Sequence, residues 1–362
     1  MTAGERGQVP TGSHAARRRS HAAGLSPTAL IGGVLVAAAA VEASRIVRRR
    51  AAQSWTPPSG SITHGSLTAR RLGSSGPAVV LLHGMAASQV YWGGGFDAIA
   101  QDAQLVVVDL LGFGSSPKPP TGYSPRGHAD AVAACLRELG IDQPAVVVGH
   151  SMGCVVALAL ATYHPELVDR IVAIAPPIYD SRAAGVRHIR GMGTLEGLMA
   201  FGVTSRLMCR WMCSHRPLAT RLAPMFEPSL PAAIAREGAQ HTWASYSQSM
   251  EELILSCDAR DLLAAVRRPV HIIAALDDPV PDLPLLSQLR ESNHRVSLDI
   301  WSEGGHQLPL TRLTECREAI SRAVRAAGPS EAAGIGRGRR VIQAVLDMRG
   351  AVPAVDRVEV PM

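Results

Sequence analysis

The chain has 362 residues, 47% of them hydrophobic, and a formal net charge of +6. This length suits one large α/β domain with insertions or two small domains, and the composition suits a globular protein with a core. Much of the positive charge lies near the two chain ends, and no interleaving of aromatic and basic residues predicts a nucleic-acid partner. The six cysteines are scattered, which argues against a disulfide framework.

Residues 1–52 form a basic N-terminal segment that contains one apolar run, Leu25 to Val41. The run is slightly short for a spanning helix, and it also fits a signal peptide or a soluble amphipathic helix. Arginine clusters lie on both sides of it and leave its orientation open. We expect the protein to associate with a membrane through residues 25–41, and the alternative is a cytoplasmic protein. Residues 53–65 are rich in Pro, Ser and Gly, which predicts a linker.

Strands and helices alternate from about Ser66 to residue 327, which predicts one α/β domain. Several of the strands are continuous apolar runs, as in a mostly parallel sheet that is buried on both faces. The predicted strands are Ser66–Leu72, Ala78–Leu82, Leu105–Val108, Val146–Val148, Arg170–Ile174, Val270–Ala274 and Val296–Ile300. The predicted helices are 124–139, 152–164, 261–266, 283–290 and 313–327.

The alternation stops between about residues 178 and 258, where the pattern is helical and rich in methionine. An insertion of this size between two sheet strands predicts a helical cap over the strand ends, where open α/β sheets bind ligands. Six of its residues are more apolar than a solvated loop would carry: Met192, Met199, Met208, Met212, Trp211 and Trp243. We therefore expect the cap to cover the site. Residues 328–362 form a tail that the pattern does not assign.

The stretch Val146–Gly153 organises the rest of the chain. Three valines lead into Gly-x-Ser-x-Gly, and an alanine-rich stretch follows, which predicts a strand, a sharp turn and a helix. Such a turn holds its middle residue, Ser151, in a strained conformation at the top of the sheet. Gly149 and Gly153 lack the Cβ that would crowd the turn. Ser151 is therefore the candidate nucleophile.

A serine nucleophile needs a base, and the base needs an acid that orients it. Strand 270–274 leads to Asp277 and Asp278, and strand 296–300 leads to His306. The acid and the histidine thus follow the serine in chain order, each just beyond a strand. The backbone N–H groups of Met85 and Met152 are the candidate oxyanion donors, because one follows an early strand and the other follows the nucleophile.

Five motifs in this order resemble those of the α/β-hydrolase superfamily, in its branch with a helical cap after the sixth strand. They are His83-Gly84, Asp109–Ser116, Gly149–Gly153, Asp277–Pro279 and Gly305-His306, and the resemblance covers about residues 66–327. In the family the acid lies in Gly-x-x-Asp. Ala275 replaces that glycine here, and Asp278 occupies the matching position, so we favour Asp278 over its rival Asp277.

The resemblance implies a serine hydrolase that cleaves a carboxylic ester of a hydrophobic small molecule or lipid through an acyl-enzyme, without a cofactor or metal. Ser151 argues against the epoxide hydrolases and haloalkane dehalogenases, which carry Asp at the turn. Carbon–carbon hydrolases, thioesterases and cofactor-free haloperoxidase-like members stay as alternatives. A non-catalytic binding protein with this fold is the alternative of another class, although such proteins usually lose a member of the triad.

Other polar and aromatic residues near these motifs are interpreted as packing groups. His150 precedes Ser151 but is expected to point away from it, and His83 is expected to shape the oxyanion loop. Asp109 ends a strand and is interpreted as structural, and Cys154 as buried. Cys209 and Cys213 are four residues apart, which places both on one helix face. We interpret them as helix packing residues and not as zinc ligands.

Overall fold

The computed structural model describes residues 55–192, 200–227, 229–256 and 258–327. Within these ranges eight strands form one sheet, in the order β1-β2-β4-β3-β5-β6-β7-β8. The strands are β1 Ser61–His64, β2 Thr68–Leu72, β3 Ala78–Leu82, β4 Gln104–Val108, β5 Ala145–His150, β6 Val168–Ile174, β7 Val270–Ala275 and β8 Val296–Trp301. The six strands from β4 to β8 in the sheet order pair in parallel, and β2 pairs antiparallel with both of its neighbours, β1 and β4.

The central strands of the sheet are buried on both faces, as their continuous apolar sequences predict. In β3, Val80 and Leu82 belong to one core cluster, whereas Val79 and Leu81 belong to another. Side chains alternate between the faces of a strand, so the two clusters lie on opposite sides of the sheet. The predicted α/β fold with a mostly parallel sheet is therefore confirmed.

Helices cover the sheet and form the cap. The α-helices are α1 Pro125–Glu138, α2 Met152–Tyr163, α3 Arg182–Arg190, α4 Gly202–Ser214, α5 Arg216–Phe226, α6 Ala232–Gly238, α7 Trp243–Ser249, α8 Asp258–Ala265, α9 Leu283–Ser292, α10 Leu308–Thr311 and α11 Leu313–Arg325. Short 3₁₀ helices span Gln89–Trp92, Gly94–Gln101 and Pro165–Leu167, and a π-helical turn spans Met250–Leu255. The described residues between β6 and β7 contain helices and no strand, as the cap prediction requires.

The linker prediction for residues 53–65 is wrong for the described part of that segment. Residues 61–64 form β1, which pairs with β2. Ser59 donates hydrogen bonds to Asp97 through its N–H and its hydroxyl, at 2.8 and 2.7 Å. Arg70 donates to the other carboxylate oxygen of Asp97 at 2.6 Å. A buried charge pair therefore attaches this segment to the sheet, and the sheet includes residues before the predicted boundary at residue 66.

Several predictions concern residues outside the described ranges. They include the membrane-associated segment 25–41, the position of Met199 in the cap and the tail 328–362. Within the described ranges, every helix is too short or too polar to cross a membrane. Membrane association through residues 25–41 stays a prediction from the sequence.

Candidate active site

Ser151 occupies a sharp turn between β5 and α2. Its backbone has φ 50° and ψ −120°, a conformation that non-glycine residues seldom adopt. A Cβ on Gly149 would lie 2.4 Å from the carbonyl oxygen of Gly153, and one on Gly153 would lie 2.4 Å from that of Leu82. Both glycines are therefore required by close backbone contacts, and the turn holds Ser151 at the carboxyl edge of the sheet.

A continuous chain of hydrogen bonds joins the predicted serine, histidine and acid. The Ser151 hydroxyl lies 3.0 Å from Nε2 of His306, and Nδ1 of His306 lies 3.0 Å from Oδ2 of Asp278. Because a carboxylate only accepts, Nδ1–H donates to Asp278 and Nε2 is left to accept from the hydroxyl. The histidine thus has the tautomer that a general base requires.

The two neighbouring aspartates have different partners. The Asp278 side chain is fully buried, and its second oxygen accepts from the N–H of Val280 at 2.9 Å. Asp277 is exposed, and its carboxylate accepts from the N–H groups of Gly304 and Gly305 at 3.2 and 2.9 Å. Asp278 therefore contacts His306 directly, whereas Asp277 holds the loop that carries His306.

The two predicted oxyanion donors belong to segments that adjoin Ser151. Met152 is the first residue of α2, where a backbone N–H has no acceptor within the helix. Met85 follows β3 and lines the same cavity as Ser151. The neighbouring Gly84 passes so close that a Cβ there would lie 3.2 Å from Cβ of Ser151. This loop can therefore bring a backbone donor to an oxygen that develops charge beside Ser151.

A cavity of about 590 Å³ opens on Ser151 and His306 and extends beneath the cap. Its cap lining is mostly apolar and includes Ile189, Met192, Met208, Trp211, Met212, Leu222 and Met250. Trp243 does not line it; that side chain lies against Tyr246 instead, with ring centroids 6.4 Å apart. Four of the six predicted cap residues thus line the cavity, Trp243 does not, and Met199 is outside the described ranges.

His150 has a role that the sequence did not suggest. Its ring stacks on Tyr91 with centroids 4.8 Å apart, and its Nε2–H donates to the backbone carbonyl of His306 at 2.9 Å. Tyr91 in turn donates to the side chain of Gln307 at 2.9 Å. No hydrogen bond joins His150 to the serine hydroxyl among the described contacts, but His150 supports the loop of His306 at a second point, in addition to the bonds from that loop to Asp277. Only its position next to Ser151 could have indicated this contact.

His83 and Asp109 have structural contacts, as interpreted from the sequence. His83 donates from Nδ1 to the carbonyl of Gly84 at 2.8 Å and accepts at Nε2 from the N–H of Leu110 at 3.0 Å. Asp109 accepts from the N–H groups of Gln89 and Ser115 at 2.6 and 2.8 Å. The two residues therefore connect the loops that follow β3 and β4, including the loop that carries Met85.

No described group of three or more His, Cys, Asp or Glu side chains has the arrangement of a metal site. Cys209 and Cys213 lie one turn apart on α4, as predicted. Cys209 donates its thiol to Nε2 of His241 at 3.2 Å, and His241 donates from Nδ1 to Gly238 at 2.6 Å. Burial raises the pKa of the Cys209 thiol to about 12, so the pair is neutral and does not form an activated thiolate.

Burial lowers the pKa of His83 and of three further histidines, which are uncharged in the folded protein. Burial lowers the pKa of His128 and of His150 to about 3, and that of His241 to about 4, from an ordinary 6.5. In the unfolded chain all three take up protons as the pH falls through 6.5. Their contribution to stability is therefore complete above pH 6.5 and is lost as the pH falls toward 4.

We expect the free energy of unfolding, measured with urea, to fall between pH 7 and pH 5 by about 2 kcal/mol for each of His128, His150 and His241. His128→Gln, which is remote from Ser151, should reduce the fall by about 2 kcal/mol, because its share no longer titrates. Equal stability of the wild-type protein at the two pH values would contradict this expectation. So would an undiminished fall in the variant.

A sequence profile of the alpha/beta hydrolase fold matches residues 77–307. An uncharacterized protein of Mycobacterium tuberculosis is 38% identical over 112 residues, which are 31% of this chain and 33% of that protein. The probable lysophospholipase BODYGUARD 4 of Arabidopsis thaliana is 31% identical over 187 residues, 47% of this chain and 45% of that protein. The chain therefore spans about a third to a half of the length of these relatives.

Solved structures agree with the fold. Esterase RhEst1 from Rhodococcus superposes with a TM-score of 0.59 at 22% identity, over 72% of this chain and 95% of that one. E-2-(Acetamidomethylene)succinate hydrolase superposes with a TM-score of 0.58 at 20% identity, over the same shares. Because the family profile covers more than half of the chain, the protein belongs to the α/β-hydrolase superfamily.

Proposed function

We propose that the protein is a serine hydrolase that cleaves a carboxylic ester of a hydrophobic small molecule or lipid through an acyl-enzyme. The observation that carries the proposal is the hydrogen-bonded chain from Ser151 through His306 to the buried Asp278, which opens on a mostly apolar cavity. Each of the three residues has the hydrogen-bond partner that acyl transfer requires, and His306 has the required tautomer.

In the proposed reaction, the Ser151 oxygen forms a bond to the ester carbonyl carbon while its proton passes to Nε2 of His306. Asp278 holds the ring and stabilises the imidazolium that forms. The N–H groups of Met85 and Met152 donate to the carbonyl oxygen as it becomes negative. His306 then returns the proton to the departing alcohol. Water, deprotonated by the same histidine, cleaves the acyl-enzyme and releases the acid.

Two further observations favour a hydrophobic ester. Methionine adapts to irregular apolar shapes, and four methionines of the cap line the cavity: Met192, Met208, Met212 and Met250. BODYGUARD 4 is named a probable lysophospholipase and RhEst1 an esterase, so relatives in sequence and in fold carry ester-cleaving names. The cavity volume is also within the ordinary range for small-molecule sites.

A fluorophosphonate probe tests the proposal directly, because it labels only a serine that is activated as a nucleophile. We expect stoichiometric labelling of the full chain at Ser151, identified by peptide mapping, and hydrolysis of short p-nitrophenyl esters. A folded protein that resists the probe would support the non-catalytic alternative. Labelling without turnover of any oxygen ester would favour the thioesterase or carbon–carbon hydrolase alternatives.

The cap residues predict a dependence on acyl length. Each buried methylene is worth about 0.8 kcal/mol at most, so kcat/KM should rise several-fold for every two carbons from acetate to an optimum of intermediate length. The double variant Met208→Ser/Met212→Ser should flatten this profile more than it lowers activity on acetate. Both side chains line the cavity.

The matched control is Met225→Ser on the neighbouring helix α5. Met225 is 74% exposed and does not line the cavity, so its substitution should leave the profile for soluble esters unchanged. An unchanged profile in the double variant would mean that the cap only supports the fold and that the sheet loops select the acyl group.

A further inference from the structure

Helices α4 and α5 of the cap carry an unusual share of exposed apolar surface. In the described part of the chain, nine large apolar side chains are exposed, and six of them belong to these two helices: Val203, Leu207, Met208, Trp211, Leu218 and Met225. Val203 and Leu207 are 73% and 61% exposed. Single exposed apolar residues are ordinary, whereas a cluster of this kind marks an interaction site.

Three exposed apolar residues of α4 form one continuous stripe along the helix. Val203, Leu207 and Trp211 follow each other at intervals of four residues and therefore lie one above the other. Ser205 and Cys209, on the opposite side, are buried against the rest of the protein. On α5, Leu218 is 48% exposed and shares a face with Arg221, three residues later. Helix α4 thus has an apolar stripe on its outer side, opposite the side that is buried against the rest of the protein.

The charge of the two helices has a single sign. Residues 202–226 contain four arginines and no aspartate or glutamate. Arg216 donates to the carbonyl of His241 at 3.3 Å, whereas Arg206, Arg210 and Arg221 are exposed. We call the exposed residues Val203, Leu207, Trp211 and Leu218, together with Arg206, Arg210 and Arg221, the cap face. Apolar side chains among cations are the composition of helices that lie in the headgroup region of an anionic membrane.

The cap face is continuous with the cavity. Met208 and Trp211 are 37% and 38% exposed, and both also line the cavity that opens on Ser151. A surface that contacted lipid through Trp211 would therefore lie at the wall of the proposed acyl pocket. Tryptophan also prefers the boundary between headgroups and acyl chains.

We propose that the cap face docks on an anionic lipid bilayer, with Trp211 at the level of the headgroups, so that a lipid ester reaches the cavity from the membrane. The docking rests on exposure and charge alone, whereas the delivery of substrate rests on the proposed function. The predicted membrane segment at residues 25–41 would tether the protein to a bilayer, but it would not by itself place Trp211 in lipid.

The test is quenching of tryptophan fluorescence in the full-length protein by vesicles of phosphatidylglycerol and brominated phosphatidylcholine. We expect the vesicles to quench the wild-type protein and Trp243→Phe, and to have little effect on Trp211→Phe. Trp243 is the matched control because it lies in the same cap, packed against Tyr246 and away from the cavity. This readout is local to Trp211, so attachment through another segment cannot reproduce it.

A second test changes the charge of the cap face or of the vesicles. Replacing Arg206, Arg210 and Arg221 together by Gln should weaken the Trp211-dependent quenching, with a vesicle affinity lowered about fivefold per arginine, or roughly 100-fold in all. Vesicles without phosphatidylglycerol should weaken it similarly. Ile62→Ser, which removes an exposed apolar residue from β1, should have no effect on quenching. Melting temperatures establish that each variant is folded.

Vesicle binding with equal quenching of the wild-type protein and Trp211→Phe would overturn the proposal, as would the absence of binding. A dimer in sedimentation equilibrium that dissociates on Leu207→Ser would show that a second copy covers the cap face, and would overturn it too. None of these results depends on hydrolysis. If the wild-type protein showed the Trp211-dependent quenching but hydrolysed no ester, that result would instead contradict the proposed function.

Discussion

Replacing Ser151 by alanine should lower kcat by about 10⁶ for any ester that the wild-type protein cleaves, the loss expected when a triad acts as a unit. Without the hydroxyl, no acyl-enzyme forms and His306 has no proton to accept. The remaining rate, roughly 10³ to 10⁴ above that in water, would come from the oxyanion donors and substrate binding. Hydrolysis of p-nitrophenyl esters and fluorophosphonate labelling should disappear together in this variant.

The fold should tolerate this change. Alanine differs from serine only by the hydroxyl, whose hydrogen bond in the structure is to His306, and the turn geometry depends on Gly149 and Gly153. A matched control is Ser249→Ala, because Ser249 is buried with its hydroxyl 3.4 Å from Nε2 of His128 and does not line the cavity. Ser249→Ala should retain labelling and activity. Turnover near the wild-type rate in Ser151→Ala would end the assignment of the nucleophile.

The parts of the fold that the sequence predicted well are those whose burial leaves a local pattern. The apolar run Ala78–Leu82 became β3 with the same bounds, because a strand covered on both faces needs apolar residues at every position. Strand β1, Ser61–His64, was missed because all four of its residues are exposed. Such an edge strand is held by backbone pairing with β2, and pairing of that kind leaves no trace in hydrophobicity.

At the candidate site, the chain order of Ser151, the acid and His306 was readable from strand ends, but contacts between distant residues were not. The contact of His150 with the carbonyl of His306 joins residues 156 positions apart. In the same way, only the folded structure shows that Trp243 packs on Tyr246 while Trp211 lines the cavity. Composition predicts that a cap has apolar residues; which of them face the substrate depends on how the helices pack.

The choice between Asp277 and Asp278 predicts a second large effect. Asp278→Asn should lower kcat by about 10⁴, by analogy with the same change in a serine protease. Oδ1 of Asp278 accepts from the N–H of Val280, so an asparagine that keeps this bond presents its NH₂ group to Nδ1 of His306. Nδ1 must then accept, and the ring proton moves to Nε2, where it prevents the histidine from taking the serine proton.

Asp277→Asn is the matched control, with the same chemical change one residue away. Its exposed carboxylate accepts from Gly304 and Gly305, and the amide oxygen of asparagine can retain at least one of these bonds. We expect a loss of about 1 kcal/mol in the positioning of the His306 loop, or roughly fivefold in kcat/KM.

Steady-state kinetics of the two variants on one soluble ester decides between the aspartates. If Asp278 orients the base, its variant should lose kcat and retain KM, because the cavity walls that bind the acyl group are untouched. Asp277→Asn should instead lower kcat and raise KM by about twofold each, since it alters the loop that carries both His306 and part of the cavity wall. A larger loss in Asp277→Asn than in Asp278→Asn would mean that the exposed carboxylate orients His306 during catalysis, and that the buried one serves only to hold the turn at Val280.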